Sequence, residues 1–233
     1  MTRFLFASPN AAAIQASPPG SHTVISFGGM ALHLLPERAL WSPIERILFV
    51  ADLHVGKEAS FRAAGVPVPD VFRRDLTRLS VLIDSLRPVH LFILGDLLHD
   101  RSAHSPEVAG VFSSWRRKHS ELQITLVRGN HDRVAGDPPA DWQITCVGEP
   151  ASCNNLQLRH LPQFNDHCFT LAGHLHPKHR LCHGPDQLRL PCFLIRRSTL
   201  VLPAFADFID HAEIAREPQD SIFLVTGREV IKL

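Results

Sequence analysis

The sequence predicts an α/β fold, a two-sheet β-sandwich in one domain, flanked by helices on both sides. Two observations carry this. Residues 47–128 alternate apolar strand-like runs with helical patterns, as a parallel sheet with right-handed crossovers requires. After residue 140 the pattern changes to short strand-like runs with few helix signals, enough for a second sheet.

Composition supports a folded chain. The 233 residues are 45% hydrophobic, which allows a sizeable core and excludes disorder. Residues 1–21 are expected to be a loose N-terminal lead-in, Ala-, Ser-, Pro- and Gly-rich from residue 7, and residues 22–233 the single domain. Val24–Phe27 and Met30–Leu35 flank Gly28-Gly29 as a hairpin. Ile47–Ala51 suits a buried strand. A Gly- and Pro-rich loop leads to a helix from Asp70 to Leu86, with Phe72, Leu76, Leu79, Ile83 and Leu86 at steps of three and four. Strand Val89–Leu94 follows. The next helix has Ser105 as N-cap, Pro106 in its first turn and an apolar stripe of Val108, Val111, Phe112 and Trp115. Strand Gln123–Val127 completes this half. The later runs are Ile144–Val147, Leu156–Arg159, Phe169–Ala172, Phe193–Ile195, Leu200–Leu202 and Ile222–Val225.

With 24 basic and 23 acidic residues the net charge is +1, which argues against a protein that coats nucleic acid by bulk charge. The five cysteines, Cys146, Cys153, Cys168, Cys182 and Cys192, contain no C-x-x-C and suggest free thiols rather than a disulfide framework. Neither a signal core nor an apolar run of membrane length is present, so a cytoplasmic location is expected.

Chemistry gathers at four strand ends. Ile47–Ala51 runs into Asp52-Leu53-His54, and Val89–Leu94 into Gly95-Asp96. Gln123–Val127 leads to Gly129-Asn130-His131-Asp132, and Phe169–Ala172 to Gly173-His174-Leu175-His176. Ligand sites in open α/β sheets lie outside the carboxyl ends of strands. In an extended segment residues i and i+2 share a side, so Asp52 with His54, and His174 with His176, can converge. The glycines before the ligands permit sharp turns and close approach. Any one of these tripeptides is a weak signal; all four in this order are not.

The order Asp-x-His, Gly-Asp, Gly-Asn-His and Gly-His-x-His is similar to the signature of calcineurin-like metallophosphoesterases. The resemblance implies two divalent metals. Asp52, His54, Asp96 and His176 would hold one, and Asp96 would bridge to a second held by Asn130, His174 and a further histidine. That histidine is His160 or His167; His160, at the end of Leu156–Arg159, is preferred. A metal-bridging hydroxide would attack the phosphorus, with His131 as catalytic general acid. The imidazole, carboxylate and amide donors fit Mn²⁺, Fe²⁺ or Zn²⁺, with Mn²⁺ expected for activity.

Segments 52–57 and 61–69, Gly173–Pro177 and Val201–Phe205 resemble the bacterial ligase-associated DNA-damage-response metallophosphoesterases. This implies a DNA endonuclease linked to repair, with DNA as substrate and an ATP-dependent DNA ligase and companion repair proteins as associates. Ala206-Asp207-Phe208-Ile209-Asp210-His211 departs from that group's glycine-rich stretch. A phosphomonoesterase, a small-nucleotide phosphodiesterase and a non-catalytic repair scaffold are the alternatives. Lys57 and Arg62 are candidates for substrate phosphate or are exposed loop charges. Asp132 orients a histidine or sits in a turn. His99, Asp100 and His104 follow Gly-Asp closely without a spacing that places them. Arg116-Arg117-Lys118-His119 is expected to be a solvated helix end.

Overall fold

The apolar run from Ile47 divides by parity, and that division builds the molecule. In this computed structural model, which describes residues 2–5, 21–183, 186–209 and 213–233, Ile47, Phe49 and Ala51 enter a core between two sheets. Leu48 and Val50 enter a second core beneath helices. The next strand repeats this, with Phe92 and Leu94 facing the sandwich and Leu91 and Ile93 the helices. Both faces of these strands are buried, as period-2 side chains in a covered sheet require.

The first sheet runs in the order Thr23–Phe27, Met30–Leu34, Leu40–Ser42, Ile47–Val50, His90–Leu94, Gln123–Val127, Ile144–Val147. Its first four strands are antiparallel neighbours and its last four are parallel. Helix Val71–Leu86 follows Asp70, whose side chain accepts from Arg73 N, and buries Leu76, Leu79, Leu82, Ile83 and Leu86 against this sheet. Helix Pro106–Lys118, capped by Ser105, adds Val108, Phe112 and Trp115.

The second sheet runs Arg3–Phe4, Ala151–Cys153, Leu156–Leu158, Thr170–Ala172, Thr199–Val201, Asp186–Arg196, Ser221–Val225, Val230–Lys232, with Lys178–His183 paired to Asp186–Arg196. Leu158, Leu171, Phe193, Leu200 and Phe223 meet Phe49 and Phe92 across the sandwich. Phe49 and Phe92 stack with ring centroids 5.5 Å apart. The outer face of this sheet, with Leu194, Val201, Ile222 and Leu224, is covered by Phe164, Leu175, Leu181, Leu190 and Ile214.

Several local expectations change. The Gly- and Pro-rich loop contains a helix, Lys57–Ala63, so Lys57 and Arg62 are helical rather than loop residues. Arg116 does not sit at a solvated helix end. It is buried, and its guanidinium donates to the carbonyls of Trp142 (2.8 Å), His119, Ser120 (3.2 Å) and Leu122 (3.0 Å). It thereby fastens the turn after the helix, residues 119–122, to the Trp142 segment. Arg117 and Lys118 face solvent. Of the lead-in, Arg3–Phe4 pairs in parallel with Ala151–Cys153; residues 6–20 lie outside the described residues. The described cysteines are all free thiols, and no described helix is long and apolar enough to cross a membrane.

Phe49, wholly buried between the sheets, tests this packing. Phe49→Ala should cost about 3–5 kcal/mol in urea unfolding through lost burial and a cavity. A loss below about 1 kcal/mol would mean that this ring does not fill the sandwich core.

Candidate metal centre

The parallel strands of the first sheet end side by side, so the residues that follow them share one rim. Val55 N donates to Leu97 O and His54 N to Asp96 O, at 2.7 and 2.9 Å, which zips the first two segments together beyond the strands. The second sheet contributes through Thr170–Ala172, which leads into the Gly173–His176 segment. His174 N donates to Asp52 Oδ2 at 2.9 Å, across the sandwich.

The convergence of Asp52 with His54 and of His174 with His176 has a different origin from extended alternation. Asp52 (φ 57°), His54 (46°), Asp96 (48°), His174 (70°) and His176 (46°) all adopt the left-handed backbone conformation. Such a conformation costs an L-residue roughly 1–3 kcal/mol and persists only where the surroundings enforce it. Here the enforcement is packing. Gly95 is itself left-handed, at φ 81°, and a Cβ on it would overlap the His160 ring. A Cβ on Gly129 would overlap the Asp96 carboxylate. Each glycine vacates the space that a donor from a neighbouring segment fills.

Donor atoms of Asp52, His54 and His176 lie within 4.8 Å of one another, and so do those of Asp96, His160 and His174. The two groups adjoin at Asp96: its Oδ2 is 3.2 Å from His160 Nε2 and 3.8 Å from His54 Nε2. His160 Nε2 is 2.9 Å from Asn130 Oδ1 and 3.0 Å from His174 Nδ1. Asp52 Oδ1 is 3.5 Å from His176 Nε2. The structure thus brings Asp52, His54, Asp96, Asn130, His160, His174 and His176 together. His167 is exposed elsewhere, its N–H on Asn165.

These donors fit bound cations. Asp52 Oδ1 and His54 Nε2 are buried with no hydrogen-bond partner, a costly state unless another group engages them. His160 Nδ1 donates to the Leu94 carbonyl at 3.2 Å, which turns Nε2 toward Asp96 and Asn130. A carbonyl behind the imidazole is how proteins commonly fix a metal-binding tautomer. His54 Nδ1 similarly faces His99 Nδ1 at 3.2 Å, leaving Nε2 toward Asp96.

Without metal, charge balance falls to protons. Burial opposes protonation of His160, but its bond to Asp96 and the charges of Asp52 and Asp96 outweigh this and push its pKa up to about 9. Burial alone would raise the Asp96 carboxyl; the hydrogen bond and charge of His160, with His54, hold it below the usual range. His54 is driven down to about 2, by burial above all, with His176, His131 and His99 adding to the effect and Asp96 opposing it.

Several neighbours resolve into supports. Asp132 touches no histidine: Oδ1 accepts from Leu98 N and Oδ2 from Gly129 N, both at 2.8 Å, pinning one segment of the rim to the next. Glu149, which sequence reasoning missed, accepts from His160 N and Leu161 N at 2.9 and 3.1 Å. Asp100 bonds Ser60 and Ser102, and His104 faces the Ala135 carbonyl, so both frame the site without joining it. His99 stacks on His131 at 5.0 Å. Its pKa is lowered by burial and by His131, with Lys57 contributing. His131 lies at the edge of the centre, its N–H on Asp96 Oδ1 at 3.0 Å and its Nδ1 on the His99 carbonyl at 2.7 Å.

Calcineurin-like phosphoesterases match residues 45–227 of the chain, from just before the first parallel strand to just past strand Ser221–Val225. The protein belongs to that family. It is a metal-dependent phosphoesterase, and the groups that could hold a metal are Asp52 with His54 and His176, Asp96 with His160 and His174, and His54 with His99 and His131. A crystal structure of Pseudomonas putida nuclease MPE is 39% identical with a TM-score of 0.80, covering 91% of this chain and 100% of that one. That likeness is consistent with the resemblance to the ligase-associated subfamily. The phosphoesterase Yfce from E. coli is 15% identical with a TM-score of 0.39, over 80% of this chain and 97% of that one, too distant to add weight. Comparison with curated proteins returns no match.

A protonated imidazole cannot bind metal, so a cation entering beside Asp96 must displace the His160 proton. Below pH about 9 the apparent metal affinity should climb about tenfold per pH unit, and it should flatten above. Calorimetric titration of the metal-free protein in buffers of different ionisation enthalpy checks this. Affinity independent of pH between 7 and 9, with no proton release, would contradict it.

Proposed function

We propose that the protein is a dinuclear-metal phosphodiesterase that cuts DNA as an endonuclease in repair, carried by a single domain over residues 22–233. The observation that carries this is the meeting of two donor groups at one buried carboxylate, Asp96. Asp52, His54, Asp96 and His176 would hold one ion; Asp96, Asn130, His160 and His174 would hold the other. When bound, two such ions supply Lewis-acid charge that makes water a nucleophile near neutral pH and neutralises phosphoryl oxygens.

The chain's own residues complete the chemistry. Asp52 and Asp96 supply buried negative charge, and left-handed backbone aims five of the seven donors inward. His131 acts as the general acid. A carbonyl can only accept, so the bond from Nδ1 to His99 O places a proton on Nδ1. Nε2, on the other side of the ring, is then the nitrogen that gives its proton to the leaving oxygen. The backbone bond from His131 N to Asp96 Oδ1 keeps this acid in register with the metals.

Similarity to a nuclease over nearly the whole chain supports a nucleic-acid substrate, and DNA is the one proposed. The mixed nitrogen and oxygen donors suit Mn²⁺, with Fe²⁺ or Zn²⁺ as other occupants. An ATP-dependent DNA ligase and its companion repair proteins are the proposed functional associates, and the cytoplasm the proposed location.

With Mn²⁺ added, bis-p-nitrophenyl phosphate and single-stranded DNA should be cleaved faster than p-nitrophenyl phosphate. Strong monoesterase activity without DNA cleavage would remove the nuclease assignment and leave the phosphoesterase one standing. Asp96→Asn should abolish turnover and lower bound metal. His131→Ala should keep the metal and lose roughly 10²–10⁴-fold in rate on DNA, with a smaller loss on p-nitrophenyl leaving groups that need little protonation. Equal loss on both substrates would contradict the acid role.

A further inference from the structure

Residues 204–208 pass directly behind Asp52. Phe205 N donates to Ala51 O at 2.8 Å and Ala206 N to Asp52 O at 3.3 Å. The opposite side of this segment is held by two arginines. Arg38 donates to Ala206 O at 3.0 Å and Ala204 O at 3.4 Å, and it pairs with Asp207. Arg78 donates to Phe205 O, pairs with Asp207 at 3.0 Å and lies 4.4 Å over the Phe205 ring. The Asp207 N–H is held in turn by Asp75 Oδ2 at 3.2 Å.

The next residue, Phe208, is thus an aromatic on a backbone fastened from several directions, yet it is 36% exposed. It lines one small cleft with His54 and Lys57. Lys57 Nζ lies over its ring, 5.6 Å from the centroid, and the Phe61 ring stands nearly perpendicular to it at 5.3 Å and 78°. Phe208 joins none of the buried apolar clusters, and its exposed part lies beside the metal centre. A rigid aromatic next to a cation is what a single-stranded nucleic acid requires: a face for a base and a charge for the flanking phosphate.

We infer that Phe208 and Lys57 form a nucleotide subsite beside the metal centre, Phe208 stacking on an unpaired base and Lys57 pairing with an adjacent phosphate. This rests on the nuclease assignment and deepens it: the substrate is single-stranded or locally unpaired DNA. A duplex with every base stacked offers no face to Phe208.

The test compares kcat/KM for a labelled single-stranded oligonucleotide with that for bis-p-nitrophenyl phosphate, in wild type, Phe208→Ala and Phe208→Trp. Losing one stacked base should lower the ratio of the two constants roughly 5- to 100-fold in Phe208→Ala, mainly through the KM for DNA. Phe208→Trp should restore the ratio, and its added fluorescence should be quenched by oligo(dT). Oligonucleotides with abasic sites should shrink the gap between wild type and Phe208→Ala. A wild type that cuts DNA while Phe208→Ala keeps the same ratio would overturn the subsite and leave the nuclease assignment intact. A wild type that hydrolyses the small diester but cuts no DNA would overturn both.

Discussion

Two carboxylates without access to water govern this structure. Asp52 and Asp96 are 0% and 1% exposed, at the carboxyl ends of adjacent parallel strands. Burying even one carboxylate costs several kcal/mol unless cations or hydrogen bonds compensate. Backbone N–H groups of His174 and His131 engage one oxygen of each. The remaining oxygens face imidazoles, and Asp52 Oδ1 still lacks a hydrogen bond. The proton that His160 holds up to about pH 9 stands in for part of the missing positive charge. Bound cations remove the deficit, which is why a fold that tolerates these carboxylates also binds metal.

Holding the donors at that density imposes strain, and the two sheets share its support. The first sheet supplies Asp52, His54, Asp96 and Asn130 from the segments after three parallel strands. The second supplies His160, His174 and His176 from the segments after Leu156–Leu158 and Thr170–Ala172. Neither sheet alone holds all the donors of either group, so the aromatic core around Phe49, Phe92 and Phe193 keeps the halves of the site in register. Left-handed backbone at five donors is compatible with stability because Asp132, Glu149 and the 204–207 segment fix the same loops through hydrogen bonds. The proposed acid is part of this scheme, since His131 and His54 both lean on His99.

The strands that feed the site and the order of its donors were legible because both are written in adjacent residues: an apolar run, then Gly or Asp, then His. His160 was also within reach, since it ends a strand-like segment. The backbone conformation was not. Asp and His tolerate left-handed φ more readily than branched residues do, so nothing at Asp52 or His176 announces that they leave the extended state. Helices Lys57–Ala63 and Asn130–Ala135 are too short to display a period. The burial of Arg116 depends on carbonyls of Ser120, Leu122 and Trp142 that no local pattern reveals. Asp132 and Glu149 act on backbone N–H groups distant in sequence, so their roles require the fold itself.

In the proposed centre two cations share Asp96, one on each side. Anomalous diffraction from crystals grown with Mn²⁺ addresses it most directly. Two peaks are expected, one among Asp52, His54 and His176, the other among Asn130, His160 and His174, with Asp96 between them. A single peak under saturating Mn²⁺, or a second peak out of reach of Asp96, would contradict it.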